Sequence, residues 1–264
     1  MPAHADFFQA IAARPEEDAP RLIYADWLEE QGDMDRAEFI RVQCELAQVS
    51  EAEPRRVGLE YRQNQLLQRH CTAWLAALPV QPFWRMRNGT YYEYQRGFLT
   101  ALCVSTTEFL THAQALFAAA PLLEHVRFKR LDRRLLASLL QSPFLEHLTA
   151  LDFSYERLED AALETLTTAS LENVTALYLT GNELGDDAAR YVASAQGLHH
   201  LTLLDLAYNR VGNDGAQALI QADSLYGLQL LRLDRNPIDW EVRERLRWLL
   251  SGRGCQFSCE PPAE

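Results

Sequence analysis

With 264 residues, 48% of them hydrophobic, the chain is long enough for one large domain or two modest ones around a sizeable core. Its formal charge of -12 opposes general binding to nucleic acid or to anionic lipid, which both call for clustered Lys and Arg, and no run approaches the ~20 apolar residues of a membrane helix. Five scattered cysteines (Cys44, Cys71, Cys103, Cys255 and Cys259) and an N-terminus without the basic-then-apolar pattern of a secretory signal lead us to expect a reducing, cytoplasmic setting.

Residues 1–80 predict a helical module. Asp18 and Pro20 mark a helix start, and Ile23 with Trp27 and Tyr24 with Leu28 are i,i+4 pairs that predict its packed side. Gly32 suits the stop and Asp33 the next cap, after which Phe39, Val42 and Leu46 form one stripe. A longer helix follows Pro54, with Leu67, Cys71, Trp74 and Leu78 at helical spacing, and ends at Pro79 and Pro82. From Phe83 to Val104 the texture is β-like, with a hairpin turn expected at Asn88-Gly89. A helix ending before Pro121 and a strand near Val126 to Phe128 complete a section, 81–147, that reads as a hairpin followed by degenerate repeats.

In 148–264 four segments superimpose: LTALDFSYERL from Leu148, VTALYLTGNEL from Val174, LTLLDLAYNRV from Leu201 and LQLLRLDRNPI from Leu228. Each reads L-x-x-L-x-L-x-x-N-x-L, with Asn182, Asn209 and Asn236 in register and Glu156 in the same slot of the first copy. The L-x-L core predicts a short strand sending Leu151/Phe153, Leu177/Leu179, Leu204/Leu206 and Leu231/Leu233 to one face. The Asn side chain, with donors and an acceptor, is expected to point inward and bond turn backbone, so that Asn209→Ala costs ~1–3 kcal/mol. Gly185 to Asp187 and Gly212 to Asp214 predict helix starts, with the Asp residues serving the free N–H groups there. Strands stack ~4.8 Å apart and helices ~8–10 Å apart, so the stack bends with the sheet concave. The expected fold class is thus α/β: a solenoid of parallel concave strands and convex helices, preceded by an all-helical module. A last helix around Glu241 to Leu250 and a strand at Cys255 to Ser258 are expected to cap its end.

The repeats resemble the ribonuclease-inhibitor type of leucine-rich repeat. Residues Phe7 to Leu46 resemble the bacterial repeat-companion domain, through YADWLEEQGD (Tyr24 to Asp33) and AEFIRVQ (Ala37 to Gln43), and RGFLTAL (Arg96 to Leu102) resembles the strand that often follows that module. The resemblance implies architecture and no particular activity.

Function is therefore expected from a surface. The outward strand positions Asp152, Tyr178, Asp205 and Arg232, with Ser154, Thr180 and Asp234 beside them and Arg127 and Lys129 from the degenerate copy, form the candidate protein-binding face, with Leu203 and Leu230 adding apolar area. With a further degenerate copy at Leu102/Val104, 24 positions before Val126/Phe128, about seven strands of about five residues run from Leu102 to Phe257 and would make a sheet roughly 29 Å wide, most of what a standard interface needs. A cluster from Arg127 to Arg134 offers an alternative patch, and Trp84, Tyr91, Tyr92 and Tyr94 an aromatic one. Two other classes stay open. Fold analogy admits a regulator of a small GTPase that supplies Arg85, Arg87 or Arg96 in trans, and an enzyme would need a site between module and solenoid. No catalytic motif is present, and no cofactor is expected. Cys255 and Cys259 lack a second cysteine pair, His199-His200 reads as a loop pair, and the acidic group Asp26, Glu29, Glu30, Asp33, Asp35 and Glu38 reads as a solvated face, so no metal is expected.

Overall fold

A computed structural model of the chain describes residues 4–82 and 91–262. The expected Asn88-Gly89 turn, and Trp84, Arg85 and Arg87, lie outside the described residues. The chain divides into two compact units, one of residues 1–102 and 112–123, the other of 103–111 and 124–264.

The first unit holds α1 (His4–Ala13), α2 (Ala19–Glu30), α3 (Met34–Gln48) and α4 (Arg55–Ala76), then β1 (Tyr92–Gln95) and the start of β2 (Phe98–Ser105). α5 (Thr106–Ala119) straddles both units. Gly32, at φ +89°, stops α2, and the Asp33 carboxylate accepts from the Arg36 backbone N–H to start α3. Asp18 departs from expectation. Its side chain does not cap α2 but accepts from Gln48 Nε2 at 2.6 Å and from Arg96 Nη1 at 3.2 Å. Ile23 departs as well: it is 60% exposed, while Tyr24, Ala25 and Leu28 join Ile11, Ile40 and Phe98 in the core. One position along a helix rotates the side chain by about 100°, and a four-helix cluster buries only one stripe of each helix.

A hairpin turn falls at Arg96-Gly97. Gln95 faces Phe98, and the two residues between them have φ +49° and +89°, the paired left-handed geometry of a two-residue turn. Three side-chain bonds hold this turn. Arg36 Nη2 donates to the Gly97 carbonyl at 2.7 Å, the Gly97 N–H donates to Gln43 Oε1 at 2.6 Å, and Gln43 Nε2 donates to the Tyr94 carbonyl at 3.0 Å. Gly97 lies so close to α3 that a Cβ there would sit 2.8 Å from the Ile40 Cα.

In the second unit, β3 (His125–Lys129) is followed by the short α6 (Leu136–Leu140), β4 (Ala150–Asp152), β5 (Ala176–Tyr178), α7 (Asp186–Ser194), β6 (Leu203–Asp205), α8 (Asn213–Gln221), β7 (Leu230–Arg232), α9 (Trp240–Gly252) and β8 (Gln256–Ser258). β3 to β8 pair in sequence order and all in parallel, with Val126, Leu151, Leu177, Leu204, Leu231 and Phe257 in one row. This is the α/β repeat solenoid the periodicity predicts, with the degenerate copy at Val126 in register. The inward residues Leu151/Phe153, Leu177/Leu179, Leu204/Leu206 and Leu231/Leu233 are buried.

Asparagine stitches the copies together. Asn209 Oδ1 accepts from the Asn182 and Leu184 N–H groups of the preceding copy, and its Nδ2 donates to the Leu179 and Leu206 carbonyls, all within 2.9–3.2 Å. Asn182 and Asn236 repeat the arrangement. Glu156 does part of the same work in its copy, accepting from the Leu131 N–H at 2.9 Å while its other oxygen pairs with Lys129. Two acids at the starts of outer segments, Asp160 and Asp186, act across copies, while Asp187 pairs with Arg190 of its own helix. Asp186 Oδ1 accepts from Gly212 and Gly215 of the next copy at 2.7 and 3.0 Å, and Asp160 accepts from Gly185 at 2.6 Å. The outer segment of the first full copy, Asp160–Thr168, is 3-10 rather than α. Thr165, Thr167 and Thr168 each donate back to a carbonyl three residues earlier, which competes with regular helix bonding.

Candidate functional site

The outward strand positions of the second unit are brought onto one face by the period of 2, but they are not alike. Tyr178, from β5, is half-buried, and its ring stacks on His125 of β3 with centroids 5.7 Å apart and planes 14° apart. Ala150 of β4 lies in register between those two strands, and its small side chain leaves room for the rings to meet. Arg232 is exposed, with Nη1 3.5 Å from Asp205 Oδ2. Asp152 and Asp205 were expected as open charges and are instead 6% exposed. Each turns one oxygen back to close the end of its own strand, Asp152 on the Ser154 N–H at 2.8 Å and Asp205 on the Ala207 N–H at 3.0 Å. Asp152 also lies 3.4 Å from Arg127 Nε, and Lys129 lies 2.9 Å from Glu156. Asp234 accepts from Ser258 Oγ at 2.6 Å and from the Glu260 N–H at 2.7 Å, which ties down the last segment. So of the charged and aromatic residues expected on this face, Tyr178 and Arg232 carry the accessible contact area, and the others chiefly order it.

Burial raises the Tyr178 phenol above its ordinary pKa, and the neighbouring Asp152 and Asp205 add to that against Arg232. At neutral pH the group is therefore a neutral donor. All five cysteines are free and buried, and burial pushes the Cys103 thiol up to about 12 despite Arg127 and Lys129 nearby. A thiol held protonated in this way is a poor nucleophile.

A second row was missed in the sequence. Arg130, Tyr155, Gly181, Tyr208 and Arg235 stand one residue before the Asn slot of successive copies, all with φ between +53° and +66°. Tyr155 and Tyr208 are more than half exposed. Gly181 was the signal, because a glycine in this register marks a left-handed position. Four bulky side chains in that conformation cost roughly 1–2 kcal/mol each. Bonds at the next residue hold the backbone there: the Leu131 N–H donates to Glu156, the Glu156 N–H donates to Asn182, and Asn209 and Asn236 anchor through their side-chain amides. With Arg232 and Leu230, Tyr208 and Arg235 line a concavity of about 540 Å³.

The other candidates fall elsewhere. Arg133, in the basic cluster, pairs with Glu159 at 2.6 Å. Tyr94 packs on Trp74 and Phe39 in the first unit, and Arg96 bonds Glu16 and Asp18 there. In the acidic group, Arg41 bridges Asp26 and Glu29 at 2.7 and 2.5 Å, Arg62 holds Glu38, and His70 meets Asp35 at 2.7 Å. Bonding to Arg62 lowers the Glu38 carboxyl pKa. Among the described residues no group of three or more His, Cys, Asp or Glu is arranged to hold a metal, and no helix is long and apolar enough to cross a membrane.

Comparison with known proteins matches a leucine-rich-repeat family model to residues 170–193 and 197–219. No curated protein matches the chain. Among solved structures, a leucine-rich-repeat protein of Leptospira interrogans is similar at 16% identity and a TM-score of 0.23, over 52% of this chain and 49% of that one, so the alignment spans about half the length of each. The stretch that carries Asn182 and Asn209 is thus similar to two leucine-rich repeats, in the same register as the strand and asparagine ladders.

Proposed function

We propose that this protein is a non-catalytic scaffold that binds another protein on the concave face of its repeats. We infer a cytoplasmic, bacterial setting in which residues 1–80 form a repeat-companion-like module, 81–147 the hairpin and degenerate copies, and 148–264 the solenoid and its cap. The observation that carries the functional reading is two adjoining rows: Tyr178 and Arg232 share one register row of the strands, and Arg232 lines a concavity with Tyr208 and Arg235 of the turns. Tyr and Arg are the side chains that most often anchor protein interfaces. Area supports using both rows. β4 to β8 are three residues long, shorter than the five expected, so six strands span only about 24 Å by 10 Å, roughly 240 Å². A standard interface buries about 800 Å² per partner, and the turn row supplies area that the strands lack.

Tyr178→Ala with Arg232→Ala is expected to abolish capture of the native partner in a pull-down from host extract, with a melting curve close to that of the parent. Retained capture by that variant, together with loss on substitution within Arg127–Arg134, would move the working surface to the basic cluster.

A further inference from the structure

The first unit contains a cavity of about 280 Å³, lined by residues of that unit alone, with Phe8, Trp74, Phe98 and Leu122 supplying apolar wall and Arg36 a cation. The guanidinium sits in an aromatic box, 4.5 Å from the Trp74 ring, 5.3 Å from Tyr94 and 5.5 Å from Phe39. Its Nη2 is committed to the Gly97 carbonyl at 2.7 Å. Its Nη1 is buried and has no hydrogen-bond partner among the described residues. Asp33, the acid on the cavity wall, is exposed and gives an oxygen to the Arg36 backbone N–H. Burial lowers the guanidinium pKa, while a contact from the Tyr94 hydroxyl opposes that shift. A buried cation with an unused donor is costly unless an anion meets it, and aromatic walls strengthen that meeting by excluding water.

We propose that this cavity binds a small planar carboxylate, its charged end on Arg36 Nη1 and its ring among Phe8, Trp74 and Phe98. Three features select that class. The volume lies at the small end of ligand pockets and suits a one-ring or two-ring molecule. Guanidinium donors match carboxylate oxygens in geometry and charge. Asp33, on the cavity wall, repels a second negative charge, which favours a carboxylate over a doubly charged phosphate ester. This site is in the first unit and does not depend on the concave-face reading.

The full-length protein is titrated calorimetrically with benzoate and indole-3-carboxylate, with benzamide as neutral isostere and phenyl phosphate as dianion. At least one carboxylate is expected to bind 1:1, with benzamide and phenyl phosphate each weaker by about tenfold or more, the effect of losing or overloading one charge-assisted hydrogen bond. Arg36→Met is expected to weaken that carboxylate by about tenfold or more. Leu122→Trp, which fills the cavity and leaves Arg36 in place, is expected to remove binding. If Arg36→Met fails to fold, the benzamide comparison and Leu122→Trp decide the matter on folded protein. No saturable binding of either carboxylate at millimolar concentration, equal binding of benzamide, a preference for phenyl phosphate, or undiminished binding by Leu122→Trp would each overturn the proposal.

Discussion

Gly97→Ala is expected to destabilise the helical unit by roughly 2–5 kcal/mol, from two separable causes. A φ of +89° is a left-handed value that charges an L side chain about 1–2 kcal/mol. The new Cβ would also lie 2.4 Å from Ile40 Cγ1 and 2.8 Å from Ile40 Cα, and the second atom is backbone at the centre of α3, so it cannot swing aside. Overpacking of that kind costs about 1–3 kcal/mol, and relieving it would pull the turn away from Arg36 and Gln43, which hold its carbonyl and its N–H. Gly32→Ala is the matched control. Gly32 has the same φ of +89°, but nothing lies within 4 Å of a Cβ built there, so that variant should show only the backbone cost. Urea unfolding followed by limited proteolysis of residues 4–82 measures both. A Gly97→Ala variant no less stable than Gly32→Ala would mean that the hairpin does not dock on α3 as described.

Asn209→Ala is expected to cost about 3 kcal/mol or more, at or above the top of the range for one buried group. Its oxygen is the acceptor for two N–H groups, Asn182 and Leu184, and alanine leaves both buried without it. The carbonyls that Asn209 serves suffer less. Leu179 keeps the Asn182 amide and Leu206 keeps the Asn236 amide as donors. Asn236→Ala supplies the comparison, because the Asn236 oxygen accepts from Val211 N–H, one group rather than two. Thermal melts should therefore rank Asn209→Ala below Asn236→Ala, with both below the parent. Equal losses at the two positions would show that the bonds are worth less than their geometry indicates.

The periodic parts of this protein were legible in its residues. The L-x-L alternation and the Asn slot located β4 to β7, the repeat spacing carried back to the degenerate copy at Val126, and the end needing a cover placed β8, because a repeat that cannot bury its own apolar face must stack in register on its neighbours. Gly32 and Asp33 announced the break between α2 and α3 for an equally local reason: one residue tolerates φ above zero, and the next carries an acceptor for free N–H groups.

Whatever depended on a partner distant in sequence was decided by the tertiary structure alone. Asp18 and Asp186 read as caps for their own helices, yet their carboxylates serve Gln48 and Arg96 in one case and the Gly212 helix start in the other, since a side-chain acceptor bonds the donor nearest in space. Asp152, Asp205 and Asp234 occupy outward positions by count, but a carboxylate two residues before a free N–H closes on it, or on a neighbouring strand, and is then no longer an open charge. The left-handed row of Arg130, Tyr155, Tyr208 and Arg235 could not be read from residue type, because Tyr and Arg disfavour that backbone and hydrogen bonds to Glu156, to Asn182 and to the Thr180, Asp234 and Glu260 carbonyls of the adjoining segments hold them in it. Arg36 shows the same limit. In the sequence it is one more charge on a polar helix turn, and only the folding of Trp74, Tyr94 and Gly97 around it, from positions up to 61 residues away, makes it a buried cation with an unused donor.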